Sequence, residues 1–116
     1  MPIERKHIGQ RMSQIVIHGD TVYLAGQVAQ NAAGAPAGDQ MRDILETIDG
    51  LLAEAGTDKG KILSATIWLA DMRDFDAINE VWDAWVVEGA TPARACVEAK
   101  LAFTKFTVEV GVIAAR

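Results

Sequence analysis

The stretch TPARACVEA, residues 91–99, is followed after a short loop by TVEV, residues 107–110, and the two segments predict adjacent strands. A strand can begin directly after Pro92, because proline fixes its own φ and favours extended geometry at the preceding residue. Arg94 then lies among small and apolar neighbours, and its permanent charge needs an anionic partner. Glu109 is a carboxylate within an apolar run. Composition alone favours an Arg–Glu ion pair or two side chains that reach solvent; the alternative is a carboxylate-binding Arg94 and an acid/base Glu109 in one cleft.

Toward the N-terminus the apolar residues recur with the period of β-strands. Residues 13–17 and 21–26 are β-branched apolar runs on either side of a short Gly-Asp turn, which predicts a β-hairpin. Residues 2–8 alternate weakly, as an edge strand would. His7 and His18 have no Cys, His or Asp cluster at ligand spacing, so we expect no metal site.

The middle of the chain shows helical periodicity twice. Residues 41–55 place apolar side chains at i, i+3, i+4 and i+7, and Gly56 is a suitable C-terminal stop. A second helix is predicted to begin at a cap formed by Asp71 or Asp74, to run to about residue 87 and to be ended by Gly89. The buried face of this second helix is predicted to consist of Phe75, Ile78, Trp82 and Trp85.

Three strands complete the predicted sheet. Residues 61–70 are a short apolar run bounded by turn residues, which predicts a buried strand, and residues 95–101 and 107–114 follow the second helix. In the first of these strands, alternation groups Ile62, Ser64, Thr66 and Trp68 on one face and Leu63, Ala65, Ile67 and Leu69 on the other. The order β-β-β-α-β-α-β-β predicts an α+β fold with both helices on one face of the sheet. The other face keeps apolar side chains, so we expect self-association to cover it.

The composition of the chain limits the number of domains and the kinds of binding partner to expect. A chain of 116 residues that is half hydrophobic corresponds to one domain, residues 1–116, with a sizeable core. Its net charge of −5 and the lack of a basic run disfavour nucleic acid and anionic membranes as partners. Cys96 is the only cysteine, no apolar stretch has the length of a membrane span, and the N-terminus lacks a signal peptide's apolar region. We therefore expect a cytoplasmic protein.

Three motifs resemble those of the Rid family, the YjgF-like reactive intermediate deaminases. The C-terminal pair PARACVEA and VEV is the most specific of them. Residues 12–14, MSQ, and residues 25–27, AGQ, resemble the Tyr-Ser-Gln and Ser-Gly-Gln that flank the family's hairpin. Residues 71–75, DMRDF, together with Asn79, match a third family pattern. The resemblance covers nearly the whole chain.

The resemblance implies a chorismate-mutase-like fold, a homotrimer and sites that lie between subunits. The implied substrate-binding positions include Met12, Ala25 and Gly26, with Asn79 in a supporting role near the interface. Met12 stands where the family has Tyr and Ala25 where it has Ser, so two hydroxyl groups that could hydrogen-bond a ligand are missing. These replacements put the family's usual substrate in question but not its fold.

The activity that the resemblance implies is hydrolysis of small 2-imino or enamine acids to 2-oxo acids and ammonia. Arg94 would bind the substrate carboxylate through paired N–H donors, and Glu109 would orient water and move the proton. The backbone carbonyl of Cys96 would hold the imine N–H. No cofactor is implied, because the imine is already electrophilic. The Cys96 thiol itself is not expected to be a nucleophile, since no His is placed to lower its pKa.

Two other hypotheses stay open from the sequence. The chain could be a non-catalytic trimeric binding protein or sensor that uses the same pocket for a small carboxylate, and the changes at Met12 and Ala25 favour this. It could also be a deaminase or hydrolase for a bulkier or different substrate, since an apolar Met12 could accept a larger side chain. Retention of both Arg94 and Glu109 favours catalysis.

Overall fold

The computed structural model describes residues 1–116 and contains one mixed sheet with two helices. The strands are β1 (Ile3–Ile8), β2 (Ser13–His18), β3 (Thr21–Leu24), β4 (Gln27–Val28), β5 (Ile62–Leu69), β6 (Ala93–Glu98) and β7 (Val108–Ala115). The helices are α1 (Ala37–Glu54) and α2 (Phe75–Trp85). The predicted α+β order is confirmed, with the two-residue β4 as an addition. A segment that short has no periodicity from which to predict it.

The sheet has the strand order β1-β2-β3-β7-β5-β6, and β4 pairs with β7. All pairings are antiparallel except that of β5 with β6, which is parallel and leaves β6 at an edge. Both helices pack on one face of the sheet, as the sequence predicts. Alternate residues of the central strands join the helices in a single core, among them Ile15, Val22, Ala65, Ile67, Leu69, Val108, Val110 and Val112.

The first helix matches its prediction closely. It buries Met41, Ile44, Ile48 and their neighbours, and Gly56 follows it with φ of 82°, a left-handed conformation that glycine adopts without strain. Gln40 lies in its first turn and is fully buried. The Gln40 amide nitrogen donates to the carbonyls of Ala35 and Lys105, and its oxygen accepts from the backbone N–H of Thr107. One side chain therefore fixes the loop that precedes β7.

The second helix departs from its prediction in two respects. It ends at Trp85, four residues before Gly89, because Val86 is already extended. The predicted buried stripe is only partly correct, since Ile78 and Trp82 are buried, Trp85 is half-buried and Phe75 is exposed. The Asp71 side chain caps a short 3-10 turn, Met72–Asp74, by accepting from the backbone N–H of Arg73, and α2 follows directly.

One predicted strand face is corrected at its start. The pairing of β5 with β7 shifts by a residue between Ile62 and Ser64, which is the signature of a β-bulge. The bulge buries Ile62 and exposes Leu63, the reverse of what strict alternation predicts. From Ser64 onward the predicted alternation holds.

The face of the sheet opposite the helices is not covered by the chain. Tyr23 and Ile113 are exposed there, and Trp68 lies across Gly111, whose added Cβ would be 3.4 Å from the indole ring. A shallow depression over this face is lined by these residues together with Ser64, Thr66 and parts of β3 and β7. Neither helix has the length and apolar character required to cross a membrane.

Trp82→Ala is expected to be among the most destabilising single substitutions. The Trp82 side chain of α2 is buried in the core, and truncation of a buried Trp typically costs about 3–5 kcal/mol. Trp85→Ala provides the matched control, since the Trp85 ring is only half-buried and should cost less. Denaturant unfolding of both variants measures the difference. Equal stability losses would mean that the buried face of α2 is misassigned.

Candidate functional site

Arg94 lies on the helix face of the edge strand β6. Its backbone pairs with that of Ala65, whose side chain is in the core, and paired residues of neighbouring strands point to the same face. The Arg94 Nη1 donates to Asn79 Oδ1 of α2 at 2.8 Å, and the guanidinium carbon lies 5.5 Å from the Trp82 ring centroid and 5.9 Å from that of Phe75. The guanidinium is thus held against α2 by an amide and two aromatic rings.

The charge of Arg94 is not neutralised within the subunit. The ion pairs of the structure are His7 with Glu54, Arg42 with Asp39 and Arg73 with Asp71. Arg94 donates one side-chain hydrogen bond, to a neutral amide, and its side chain is exposed. A guanidinium has five donors in a fork that matches a carboxylate, so Arg94 retains the capacity to bind one.

Cys96 and Glu98 share the helix face of β6 with Arg94, since they pair with Ile67 and Leu69. Burial raises the pKa of the Cys96 thiol, and the positive charge of Arg94 offsets only part of that rise. The thiol is therefore neutral near pH 7, which fits the expectation that it is not a nucleophile. Glu98 does not pair with Arg94, because its Oε1 accepts from the backbone N–H of Met72 at 2.9 Å.

Glu109 lies on the opposite face of the sheet. It pairs with Trp68 of β5 and with Val28 of β4, whereas its neighbours Val108 and Val110 point into the core. The Glu109 carboxylate rests directly against Gly26, where a Cβ would overlap Oε2. Gly26 is therefore required for the close approach of the carboxylate to the backbone, although its own φ is not in the left-handed region.

Glu109 and Gly26 line a cavity of about 520 Å³, which also contains Met12 of the predicted site. This volume lies within the range of about 300–1,000 Å³ typical of small-molecule sites. Ala25 is not part of the lining. Its backbone carbonyl accepts from the Gln27 side chain at 3.0 Å, and its N–H donates to the carbonyl of Gln14.

Gln14 and Gln27 contribute to the cavity, although the sequence did not single them out as site residues. The Gln27 amide nitrogen donates to Gln14 Oε1 at 2.8 Å and joins β2 to β4 across the break that follows β3. Both residues close the hairpin motifs MSQ and AGQ, so the signal was present in the sequence.

His7 is a further lining residue without a binding or catalytic role assigned from the sequence. It is the one non-glycine residue with positive φ, at 54°, although it lies within β1. Its Nε2 is 2.5 Å from Glu54 Oε2 at the end of α1. Such a conformation costs free energy and persists only where surrounding contacts hold it. No sequence pattern indicates a left-handed residue inside a weakly alternating strand.

The structure does not bring Arg94 and Glu109 together within one subunit. Arg94 aligns through Ala65 with Val112, which is three residues from Glu109 on β7. Strands spaced about 4.8 Å apart with a rise of about 3.3 Å per residue put the two Cα atoms roughly 14 Å apart. Because their side chains also leave opposite faces, each residue belongs to a separate half of any common site.

Other parts of the surface have fewer free polar groups that could bind or react with a ligand. A groove of about 450 Å³ between α1 and α2 contains Trp85, but its indole N–H already donates to Asp49 at 3.0 Å and Lys59 lies over its ring. No three His, Cys, Asp or Glu side chains lie close enough together to hold a metal ion. The cavity beside Glu109 and the exposed guanidinium of Arg94 are therefore the two candidates.

The chain is similar to known proteins by family sequence model, by pairwise sequence identity and by structure. The sequence model of the family described as Endoribonuclease L-PSP matches residues 5–116. The chain is 44% identical to the RutC family protein YoaB of Escherichia coli K12 over 99% of both chains, and 33% identical to the 2-iminobutanoate/2-iminopropanoate deaminase of Mus musculus over 72% of this chain and 64% of that one. The structure of NMB1025 from Neisseria meningitidis, described as a member of the YjgF protein family, superposes with a TM-score of 0.96 at 43% identity, covering 100% of this chain and 96% of the other.

Gly26→Ala is expected to displace the Glu109 carboxylate with little effect on folding. The added Cβ meets the flexible end of a side chain rather than backbone, so Glu109 can move aside. Any reaction that depends on Glu109 should therefore slow, while the thermal midpoint stays close to that of the wild type. Gly50→Ala is the matched control, since nothing lies within 4 Å of its added Cβ. An unchanged rate in Gly26→Ala would show that the position of the Glu109 carboxylate is not critical.

Proposed function

The chain belongs to the YjgF/Rid family, and on that premise we propose that it hydrolyses small 2-imino or enamine acids to 2-oxo acids and ammonia at a pocket shared by two subunits. The observation that carries the proposal is the separation of Arg94 and Glu109 onto opposite faces of one sheet. Arg94 is exposed and Glu109 lines a cavity, so a neighbouring copy would be needed to bring the two groups into one site. The imino-acid deaminase among the relatives supports the choice of reaction.

The proposed assembly is a homotrimer of a single Rid-like domain, residues 1–116. The open face of the sheet supports it, because Tyr23, Trp68 and Ile113 form an apolar surface that no helix covers. Val97, which pairs with Trp68, extends the exposed apolar surface to the edge strand β6. Packing this face against the neighbouring copy would bring the β6 edge of one subunit toward the Glu109 cavity of the next.

In the proposed reaction Arg94 binds the substrate carboxylate, and Asn79 keeps the guanidinium in place. The backbone carbonyl of Cys96 on the edge strand accepts the imine N–H. Glu109 of the neighbouring subunit takes a proton from water as the water oxygen bonds to the imine carbon, and then delivers that proton to nitrogen. The hydroxyl proton of the carbinolamine then passes to nitrogen through Glu109 as the carbon–nitrogen bond breaks, which releases ammonia and leaves the 2-oxo acid. The imine needs no activating cofactor in this scheme.

The charge of the chain supports a small-molecule substrate over nucleic acid. The family whose sequence model matches the chain is described as Endoribonuclease L-PSP, which raises the question of an RNA substrate. This chain carries a net charge of −5 and no basic run, whereas proteins that bind nucleic acid neutralise several phosphates with Lys and Arg. The exposed guanidinium of Arg94 suits a single carboxylate better than a polyanion. We place this activity in the cytoplasm, in keeping with the single cysteine.

A second candidate function is favoured by the loss of two hydroxyl groups. Met12 and Ala25 replace the Tyr and Ser of the family motif, and neither can donate a side-chain hydrogen bond to a substrate. A trimeric sensor of small carboxylates would need Arg94 but no acid/base residue. Turnover separates the two candidates, since a binding protein would hold 2-oxobutyrate without releasing ammonia from any imine.

We expect sedimentation equilibrium to give a mass about three times the 12.5 kDa of the chain. The physical reason is burial of the open sheet face between copies. Tyr23→Glu, which places a charge on that face, should shift the mass toward the monomer. A wild-type chain that stays monomeric at micromolar concentration would contradict both the trimer and a shared site.

The division of the site between subunits predicts complementation between two inactive variants. Arg94→Ala should lose both 2-oxobutyrate affinity and turnover, whereas Glu109→Gln should keep most of the affinity and lose roughly 10²–10⁴-fold in rate. After the two variants are unfolded and refolded together in equal amounts, roughly a quarter of the interfaces should carry both intact residues by random association. Ammonia release from freshly generated 2-aminoacrylate should then recover to about that fraction.

Two matched variants control this experiment. Arg73→Ala removes an exposed arginine that pairs only with nearby Asp71, and Glu88→Gln removes an exposed carboxylate beyond α2; neither should change turnover. If the mixed variants form mixed trimers and remain inactive, the site is not shared. Wild-type binding without turnover of any imine would favour the sensor.

A further inference from the structure

We propose that Phe103 and Met12 form a side-chain subsite that selects 2-imino acids with bulky apolar side chains, branched or aromatic, over the imines of three- and four-carbon acids. The inference rests on the proposed function and names its substrate class. It follows from how the cavity beside Glu109 is lined, from its size and from the way the wall that carries Phe103 is fixed.

The cavity has polar and apolar linings. Its polar groups are Glu109, three glutamine side chains, His7 and Thr47. Its apolar lining comprises Met12, Val28, Leu51, Ala102, Phe103 and Phe106. At about 520 Å³ it is much larger than a three-carbon imino acid requires, given that a single water occupies about 30 Å³ of liquid. The additional volume adjoins carbon-rich surface, which favours an apolar substituent.

Phe103 is the most exposed aromatic side chain of this lining, at 62%. Its ring meets that of Phe106 edge to face, with centroids 6.2 Å apart and planes at 76°, and Phe106 is buried. Lys105 Nζ lies 5.6 Å from the Phe103 centroid and 5.3 Å from that of Phe106. Phe103 thus rests on a buried ring and leaves much of its own surface free for a ligand.

The wall is fixed before any ligand arrives. The carbonyl of Lys105 accepts from the backbone N–H of Gly34 and from the amide of Gln40, and Gln40 also accepts from the N–H of Thr107. Gln40 is fully buried, so these bonds are shielded from water. A preorganised wall does not have to be ordered on binding, and contact with it therefore contributes more to affinity.

Met12 supplies the adaptable part of the subsite. Its side chain is 54% exposed at the same cavity, where an unbranched thioether can adjust to substituents of different shape. It offers no hydroxyl to a polar substituent. The combination of a fixed aromatic ring and a flexible thioether favours apolar groups and gives little recognition to small ones.

The test compares imines generated in situ from alanine, leucine and phenylalanine by an L-amino-acid oxidase, with ammonia release followed in the presence and absence of the protein. The kcat/KM for the leucine- and phenylalanine-derived imines should exceed that for the alanine-derived imine by about tenfold or more, since one methylene in an apolar pocket is worth roughly 10–200-fold. Phe103→Ala and Met12→Ala should each reduce this ratio by about tenfold. Ile3→Ala, an exposed apolar truncation at the far end of β1, is the control and should leave the ratio unchanged.

Calorimetry with 4-methyl-2-oxopentanoate and pyruvate separates this inference from the proposed function. If no imine is turned over but the larger 2-oxo acid binds more tightly, and less so in Phe103→Ala, the subsite stands and the deaminase proposal fails. Turnover or binding that favours the three-carbon acid overturns the subsite. A Phe103→Ala protein of altered mass in sedimentation, with an unchanged ratio, would place Phe103 in the subunit interface and would also overturn it.

Discussion

The pairing of β5 with β6 on one side and β7 on the other is the constraint on which the candidate site depends. Ala65, Ile67 and Leu69 are buried, so a one-residue slip of β5 would move three core side chains to the open face. This fixed register assigns Arg94 to the helix face and Glu109 to the opposite face. The sheet therefore cannot place both groups around one substrate within a single subunit, and a site that used both residues would require a second copy.

Different features of the structure determine the positions of Arg94 and Glu109. Arg94 is held by an amide hydrogen bond and two aromatic rings of α2, so the packing of the second helix determines where the guanidinium points. The position of the Glu109 carboxylate is possible only because Gly26 has no side chain to occupy the same space. Gln40 fixes the loop between the two strands that carry these residues, and loss of its buried amide would leave backbone groups unsatisfied at about 1–3 kcal/mol each.

The sequence predicted the fold well because hydrophobic period is a strong local signal. The helix that ends before Gly56 and the alternation beyond Ser64 were correct, whereas the bulge at Ile62 and the end of α2 at Trp85 were not. A bulge depends on how two distant strands fit together, which no local pattern encodes. For the same reason alternation placed Arg94 on one face with Cys96 and Glu98, yet could not relate that face to the face of Glu109. The roles of these residues in binding and catalysis stay predictions.

The replaced hydroxyl positions and the apolar lining of the cavity beside Glu109 bear on the same question, which is how a substrate would be selected. A site that hydrogen-bonds its substrate rejects analogues by leaving buried polar groups unpaired, which discriminates strongly. With Met12 where the family motif has Tyr, the lining of the cavity beside Glu109 has one hydroxyl donor fewer for such recognition. In the proposed subsite, shape and apolar contact would select substrates by the size of their side chain, which discriminates more weakly than hydrogen bonding does. In the proposed reaction such a pocket would accept a range of apolar imino acids, and Arg94 and Glu109 would act on the carboxylate and imine that these substrates share.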